Sequence, residues 1–285
     1  MIFFTFFYFC IMNETNHIIW NPNPILLETN GITLGYYGLM LFLSIIVSYY
    51  IVRRNFIKEN IESDKVDILF ILTLFFGFVF ARLFHCFFYD FEYFSNHILQ
   101  VFFPVKRING ELIYVGYRGI ASHGGAVGLI FGALIFSRLY KIKLLNVLDK
   151  LAIVAPLMAS LIRIGNFFNS EILGTETTAI TGIIFARIDN IVRHPVQLYE
   201  SILCLAVFFI LLYLYKKRDC CSNSKYGYIT AMSLILINSA RFFTEFFKED
   251  ISNFDVFLPI SMGQALSIPF IILGLIILFN NRTFK

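Results

Sequence analysis

Four ionisable side chains lie inside long apolar segments of this sequence: Arg82, His123, Arg163 and Arg241. An ionisable group in such surroundings needs a partner or a ligand, because apolar side chains and lipid cannot solvate its charge. A guanidinium can donate two parallel hydrogen bonds to a phosphate, and a neutral imidazole can accept a proton from a thiol or hydroxyl. These residue types predict a site that binds an anion and transfers a proton. The alternative for His123 is a structural histidine held by a hydrogen bond.

Composition indicates that the elements carrying these residues lie in lipid. Of 285 residues, 58% are hydrophobic and only 15% are charged, whereas ordinary soluble domains have about 25% charged residues. One soluble core cannot hide so much apolar surface. The composition excludes a disordered chain and argues against a nucleic-acid binder.

Seven apolar stretches are bounded by charged or turn residues, and a helix needs about 20 residues to cross a bilayer. They are Tyr36 to Val52, Val66 to Tyr89, Gly119 to Ser137, Leu144 to Ile162, Gln197 to Tyr215, Tyr226 to Phe247 and Met262 to Phe279. The sequence therefore predicts an all-α, polytopic membrane protein whose seven transmembrane helices lie in residues 18–285.

Residues 1–17 are expected to form an N-terminal extension. The tract Met1 to Met12 is apolar but too short to span a membrane. It also lacks the basic region and the cleavage site of a signal peptide. It is interpreted either as an interfacial segment or as the result of a wrong start codon.

The placement of lysine and arginine predicts the orientation. Most of the 23 basic residues fall around positions 53–65, 138–150 and 216–225 and at the C-terminus. Short cytoplasmic loops retain positive charge, so the N-terminus is predicted to lie outside and the C-terminus in the cytoplasm. The five cysteines suggest neither a disulfide framework nor a metal site, and we expect no cofactor.

The four ionisable groups are predicted to share one depth, about 20 to 24 Å from the cytoplasmic ends of their helices at about 1.5 Å per residue. The acids near that level are Glu171, Glu200 and Glu245. Glu245 follows Arg241 by four residues, so an internal ion pair that only holds the bundle is the alternative for these two. Arg163 has no carboxylate three or four residues on, and we expect its unpaired guanidinium to bind a phosphate such as a lipid head group.

Two segments beside these residues are rich in glycine or amides. Gly124, Gly128 and Gly132 recur every fourth residue after His123, which predicts close helix packing. Residues 163–174 end an apolar helix with glycines, asparagines and a glutamate. This ending predicts either an ordinary exit into an outer loop or, at membrane depth, a polar pocket that opens toward the outer face.

Six motifs, in order and at compatible spacing, make the chain from about Trp20 onward resemble the prolipoprotein diacylglyceryl transferases. The most specific is Arg163 to Gly174, which is similar to the family signature GRIGNFINGELYG. The others are YYGLM at 36–40, HGG with a further glycine at 123–128, HPVQLYE at 194–200, RFFTEFF at 241–247 and MGQALSIP at 262–269. Seven spans with an outside N-terminus also fit that family.

The resemblance implies an enzyme that transfers the diacylglyceryl group of phosphatidylglycerol to the lipobox cysteine of a preprolipoprotein signal peptide. A thioether forms and glycerol phosphate leaves, which is the first step of bacterial lipoprotein maturation. The resemblance also implies a multi-pass protein of the bacterial cytoplasmic (inner) membrane with its active site toward the outer leaflet. Its partners would be phosphatidylglycerol, preprolipoprotein signal peptides and membrane lipid.

The resemblance further assigns the site residues. Catalysis is assigned to His123, as the base or as a head-group ligand, and to Arg163 and Arg241, which would clamp the phosphate. Arg163 is also the main expected contact with phosphatidylglycerol. The remaining pocket residues assigned by motif are Tyr37, Asn166, Glu171, Gly174 and Glu245.

Four positions depart from the family pattern. Ile162 and Ser170 replace glycines, Leu173 replaces an aromatic residue and Ser122 replaces a phenylalanine. These changes affect the shape of the pocket and leave its charged groups in place.

The alternative function is a polytopic transporter of an anionic solute, in which the same arginines line a permeation path. Transporter sites usually lie near the midplane and often between inverted repeats. The groups here are predicted to lie above the midplane, and the two halves of the sequence show no repeat. A purely structural membrane protein would make the shared depth of the four groups a coincidence.

Overall fold

The computed structural model of the chain describes residues 10–12, 17–29, 32–102, 105–108, 111–114, 121–219, 226–249 and 260–282. Nine α-helices lie within these residues. They are α1 (Tyr36–Lys58), α2 (Ser63–Phe88), α3 (Phe91–Asn96), α4 (Leu99–Phe102), α5 (Ser122–Tyr140), α6 (Leu144–Asn169), α7 (Val196–Asp219), α8 (Tyr228–Thr244) and α9 (Met262–Arg282). A 3₁₀ turn, Glu245–Phe247, directly follows α8.

Within the described part of the chain, six helices are long and apolar enough to cross a membrane: α1, α2, α5, α6, α7 and α9. The seventh predicted span corresponds to α8, which has only 17 residues. The prediction was an all-α membrane protein with seven spans. A mostly helical, polytopic membrane protein is confirmed, with six helices of spanning length in the described residues.

Several helices extend beyond the apolar stretches that predicted them. The helix predicted to end at Val52 continues to Lys58, and the one predicted to end at Ile162 continues to Asn169. Hydropathy marks only the side chains suited to lipid, whereas the backbone hydrogen bonds of a helix continue through polar residues. As a result, Arg163 and the asparagines after it lie on a helix rather than in a loop.

The described chain forms two compact units, one from Met1–Val52 with Asp149–Lys285 and the other from Arg53–Leu148. In the first unit, α6, α7 and α8 share an apolar core that includes Ile153, Leu211 and Ile229. The fully buried carboxylate of Asp149 accepts hydrogen bonds of 2.8 Å from the backbone N–H groups of Gly227 and Thr230. Asp149 therefore caps α8 from another helix, where the local cap residue is a glycine without a side chain.

The second unit is built on the contact between α2 and α5. A Cβ atom added at Gly124, Gly128 or Gly132 would overlap the backbone of α2. The contacted carbonyls belong to Phe80, Phe76 and Leu72 respectively. Glycines four residues apart on α5 therefore contact carbonyls four residues apart on α2, in the reverse order. The glycine strip therefore serves close helix packing, as its spacing predicts.

Within the described residues, eight short strands lie before α1, between α4 and α5 and between α6 and α7, and the all-α prediction missed them. They are β1 (Cys10–Met12), β2 (Ile18–Trp20), β3 (Ile25–Thr29), β4 (Ile32–Gly35), β5 (Val105–Ile108), β6 (Glu111–Tyr114), β7 (Ile183–Phe185) and β8 (Val192–Arg193). One sheet has the order β1-β2-β7-β8, with β2 parallel to β7, while β3–β4 and β5–β6 are antiparallel pairs. Strands of two to five residues leave little trace in a hydropathy pattern that long apolar runs dominate.

The sheet β1-β2-β7-β8 supports the end of α6. Trp20 of β2 packs against Phe167 with ring centroids 4.3 Å apart, and its indole N–H donates to the Phe167 carbonyl at 3.0 Å. Phe168 stacks on Tyr36 at 4.4 Å. Phe185 of β7 completes this buried aromatic cluster. The aromatic contacts fix the last two turns of α6, which carry Arg163 and Asn166.

Candidate active site

The signature segment turns sharply where α6 ends. The Ser170 N–H donates to the Phe167 carbonyl at 3.1 Å, and the Glu171 N–H donates to the Asn166 carbonyl at 3.0 Å. This pair of bonds is a Schellman ending, in which the residue after the helix adopts the left-handed conformation. Ser170 has a φ of 56°, and Ile172 has a φ of 59°, a region in which a β-branched residue is strained. The strain lies in the segment assigned to the pocket.

The bend places Glu171 beside the last turn of α6. Its carboxylate accepts hydrogen bonds from the side-chain amides of Asn166 at 2.9 Å and Asn169 at 3.2 Å. Its backbone carbonyl accepts a bond of 2.6 Å from the fully buried amide of Gln197 on α7. Asn166 and Glu171, predicted separately as pocket residues, therefore form one hydrogen-bonded unit.

Arg163 is paired, and the expectation of an unpaired guanidinium is wrong. Its Nε forms an ion pair with Oε2 of Glu200 on α7. The expectation failed because it considered only neighbours on the same helix, whereas the partner comes from another helix. Arg163 Nη1 makes a long contact of 3.4 Å to Asn166 Oδ1. Within the described residues, Nη2 has no hydrogen-bond partner.

Tyr37 lies against the signature helix. A Cβ atom added at Gly165 would press on the Cα atom and the ring of Tyr37, so the glycine lets α1 approach α6 closely. The Tyr37 side chain is close enough to interact electrostatically with both Arg163 and Glu171. Tyr37 therefore borders the polar cluster formed by Arg163 and Glu171.

Glu245 pairs with Lys248, not with Arg241. Its Oε2 lies 3.4 Å from the Lys248 ammonium, so the alternative of an internal pair between Arg241 and Glu245 is wrong. The carboxylate also lies directly over Gly263, where a Cβ atom would overlap it. Gly263 is in the first turn of α9, and the positive end of a helix dipole stabilises a carboxylate.

Arg241 is exposed on α8. In the described part of the chain, its guanidinium has no hydrogen-bond or ion-pair partner. It lies close enough to interact electrostatically with Cys204 of α7, as do Arg163 and Glu200. Arg241 and Arg163 thus lie around the same segment of α7.

Gly174 ends the signature at a crowded position. A Cβ atom there would overlap the His194 carbonyl and the Val196 side chain. The Gly174 carbonyl also accepts a bond of 3.2 Å from Arg193, which is itself buried. Gly174 therefore shapes the site by allowing close backbone packing.

His123 and Arg82 belong to the other unit. His123 is the second residue of α5 and is exposed. Among the described residues it makes no hydrogen bond, so the alternative of a hydrogen-bonded structural histidine gains no support. Arg82 is buried, and its guanidinium donates to the carbonyls of Gln100 at 2.9 Å and Val101 at 3.2 Å. Arg82 therefore holds α4 through these two hydrogen bonds. The family motifs did not assign Arg82 to the site.

Sequence reasoning counted Glu200 among the acids near the level of the arginines but did not pair it with Arg163, and it missed Gln197 on the same helix. Gln197, Glu200 and Ser201 are all buried and recur at three- and four-residue spacing. Gln197 and Glu200 belong to the HPVQLYE motif and Ser201 follows it, so residue type and helical spacing could have indicated one polar face directed at the signature. Lys248 was also missed because it follows α8 beyond the apolar stretch.

Comparison with known proteins agrees with these motifs. The sequence profile of the family described as Prolipoprotein diacylglyceryl transferase matches residues 24–280. The chain belongs to this family. A phosphatidylglycerol–prolipoprotein diacylglyceryl transferase of Bacteroides fragilis is 38% identical over 263 residues, which cover 92% of this chain and 94% of that protein.

Two further relatives carry the same name. The protein of Chloroherpeton thalassium is 36% identical over 95% of this chain and 96% of its own length. That of Tolumonas auensis is 33% identical over 92% of this chain and 96% of its own length. The predicted membership of the prolipoprotein diacylglyceryl transferase family is confirmed. So is the prediction of a transferase in lipoprotein maturation, in preference to a transporter.

Proposed function

We propose that this prolipoprotein diacylglyceryl transferase carries out its reaction at the cluster around Arg163, with phosphatidylglycerol as the lipid donor. The observation that carries the proposal is a pair of guanidinium groups with free donors. Within the described chain, Arg163 Nη2 and the whole Arg241 guanidinium lack a protein partner. Such donors in an apolar bundle need an anion, and a phosphodiester supplies one.

The reaction is a displacement at carbon. The lipobox thiol loses its proton to a base, and the sulfur attacks the glyceryl carbon that bears the phosphate ester oxygen. The carbon–oxygen bond breaks as the carbon–sulfur bond forms, and the electron pair leaves on glycerol phosphate. Arg163 and Arg241 stabilise the charge that develops on this leaving group.

His123 is the proposed base for the thiol. A thiol has an ordinary pKa of about 8.5 and is mostly protonated at neutral pH, so a proton acceptor raises the fraction of thiolate. A neutral imidazole serves this purpose. The other role open to His123 is to bind the head group, and the two roles differ in their response to pH.

The remaining assigned residues shape the pocket. Asn166 and Glu171 hold the bend after α6, and Tyr37 packs on that helix beside them. Gly174 allows the segment to pass closely over His194. Glu245 holds Lys248 near the start of α9. The signal peptide of a preprolipoprotein is the proposed second substrate, and its cysteine must reach the bound lipid.

The proposed orientation is a seven-span protein of the bacterial inner membrane with its N-terminus outside. At about 1.5 Å per residue, α8 is about 25 Å long, close to the hydrocarbon thickness of about 30 Å. The 3₁₀ turn after it adds further length. Basic residues near 53–65, 138–150 and 216–225 support a cytoplasmic location for those connections. The Arg163 cluster would then lie toward the outer leaflet.

A transfer assay tests the proposal. The purified chain, given phosphatidylglycerol and a lipobox peptide, should add the mass of a diacylglyceryl group to the peptide and release glycerol phosphate. A peptide with serine in place of the cysteine should stay unmodified. Equal modification of the serine peptide would rule out a thioether product.

A further inference from the structure

The first turns of α7 present one polar face to α6. Ser201 shares a hydrogen bond of 2.9 Å with Ser160, and Glu200 forms the ion pair with Arg163. Gln197 donates to the Glu171 carbonyl at 2.6 Å. From Ser160 and Arg163 on α6 to Glu171 in the bend after it, the partners come later in the sequence while those on α7 come earlier, which is the pattern of two antiparallel helices. The contacts thus form a ladder along the signature.

Glu200 occupies a special place in this ladder because it connects three helices. It is 5% exposed, so its charge requires partners. One carboxylate oxygen holds Arg163 Nε on α6, and the other accepts the hydroxyl of Thr244 on α8 at 3.4 Å. The same Thr244 hydroxyl lies 3.1 Å from the Arg241 carbonyl. One carboxylate is therefore tied to the helices of both candidate phosphate ligands.

The use of Nε determines which edge of Arg163 is free. A guanidinium can bind a phosphate through two parallel N–H groups. With Nε occupied by Glu200, the edge formed by Nη1 and Nη2 is the one with spare donors, since Nη1 makes only the 3.4 Å contact to Asn166. A long arginine side chain loses rotamer entropy when it is fixed. An arginine already held by a carboxylate avoids much of this loss when the lipid binds.

We propose that Glu200 is a positioning residue for the transfer reaction. It holds the Arg163 guanidinium so that the Nη edge meets the phosphate of the lipid donor, and through Thr244 it links that position to α8, which carries Arg241. The inference rests on the proposed role of Arg163. A group that only joins α6 to α7 would have no effect on lipid binding. The hydrogen bond between Ser160 and Ser201 is such a contact, since it joins the same two helices and involves no charged residue.

The test compares four variants of the full-length chain in detergent micelles. Glu200→Gln removes the charge, Glu200→Asp shortens the side chain, and Thr244→Val removes the second contact. Ser201→Ala is the matched control, since it breaks a hydrogen bond between the same two helices. The measured quantities are kcat, KM for phosphatidylglycerol, KM for the lipobox peptide, inhibition by glycerol phosphate and the midpoint of thermal unfolding.

Glu200→Gln should lower kcat/KM for phosphatidylglycerol about 100-fold, the scale expected for a displacement of about 1 Å at a reacting group. Inhibition by glycerol phosphate should weaken in parallel, while KM for the peptide stays at the wild-type value. Glu200→Asp and Thr244→Val should show the same selective loss to a smaller extent. Ser201→Ala should keep the wild-type kinetic constants.

Wild-type kcat/KM for phosphatidylglycerol in Glu200→Gln would overturn the inference, as would equal losses for lipid and peptide. If Glu200→Gln does not fold, Glu200→Asp and Thr244→Val decide by the same criterion. Activity of Arg163→Lys distinguishes a failure of the proposed role of Arg163 from a failure of the role of Glu200. Full activity of Arg163→Lys would remove the proposed role of Arg163 itself. An inactive Arg163→Lys beside a fully active Glu200→Gln would remove only the role of Glu200.

Discussion

Oε2 of Glu200 on α7 forms an ion pair with Nε of Arg163 on α6. The pair places a negative charge beside a candidate phosphate ligand, which at first sight weakens phosphate binding. It also fixes the orientation of a long side chain and avoids an isolated charge in an apolar bundle. Among the described residues, the Nη2 group of this guanidinium has no hydrogen-bond partner, and the Nη edge is the one proposed to bind the phosphate.

Arg163→Lys should reduce transfer by about 100-fold or more, the effect seen when one preorganised donor to a developing oxyanion is removed. Lysine keeps the charge but loses the planar pair of donors. The rate of diacylglyceryl addition to a lipobox peptide measures the effect. Arg187→Lys is the control, because Arg187 is an exposed arginine in the same connection between α6 and α7. An equal loss in both variants would argue against a specific role for Arg163.

His123→Asn should lower activity most strongly at neutral and acidic pH if His123 is the base. At high pH the peptide thiol ionises without help, so the variant should recover part of the wild-type rate. The measurement is the ratio of variant to wild-type rates across the pH range. A ratio that stays constant with pH would assign His123 to head-group binding instead.

Ser170→Gly should stabilise the chain by about 1 kcal/mol, since glycine adopts the left-handed conformation without the cost borne by other residues. The Ser170 hydroxyl is buried and has no partner within the described residues, so its removal costs little. Thermal unfolding in detergent should show an increase of about 2 °C. Ser170→Ala keeps the Cβ atom and removes only the hydroxyl. If alanine stabilises as much as glycine, the hydroxyl rather than the backbone conformation is the cause.

Gly128→Ala should destabilise the chain by about 1–3 kcal/mol, because the added methyl group overpacks the contact between α5 and α2. The new carbon atom would overlap the backbone of Phe76. Gly125→Ala is the matched control on the same helix, since its Cβ atom would meet Ala81 at an ordinary 3.7 Å. Thermal unfolding of both variants tests the difference. Equal midpoints would show that α5 shifts to accommodate the methyl group.

Asp189 should give the connection between α6 and α7 an acid-sensitive stability. Its carboxylate accepts three hydrogen bonds from Arg193, at 2.7, 3.1 and 3.4 Å, and this contact lowers the pKa of Asp189. A carboxyl group whose pKa is lower in the folded state stabilises it above the ordinary pKa, and the contribution disappears as the pH falls through the lowered pKa. The same contact raises the pKa of Arg193, which therefore stays charged throughout.

Asp189→Asn should lower the unfolding free energy by about 1 kcal/mol near neutral pH. The difference from wild type should shrink as the pH falls below the ordinary aspartate pKa of about 3.9. Hydrogen exchange of the 174–193 segment, compared at neutral and acidic pH, measures this loss. A difference that stays constant down to pH 3 would contradict the role of the ion pair.

Most of the architecture follows from the sequence, because transmembrane helices satisfy their own backbone hydrogen bonds within one continuous segment. The positions of α1, α2, α5, α6, α7 and α9 were predicted to within a few residues at most ends. The largest error is the end of α6, where polar residues up to Asn169 remain helical. The strands in the described residues were missed because they are only two to five residues long, and the parallel pairing of Ile18 with Ile183 also joins distant segments.

The sequence by itself determined the family, the membrane setting and the residue types at the site, since each depends on the order of residues along the chain. Only the tertiary structure decided which charges meet. Arg163 forms an ion pair with Glu200 rather than remaining unpaired, and Glu245 pairs with Lys248 rather than with Arg241. Spacing along one helix predicts contacts only within that helix. Contacts between helices depend on how the helices pack, and here that packing determines which arginine donors remain for a phosphate.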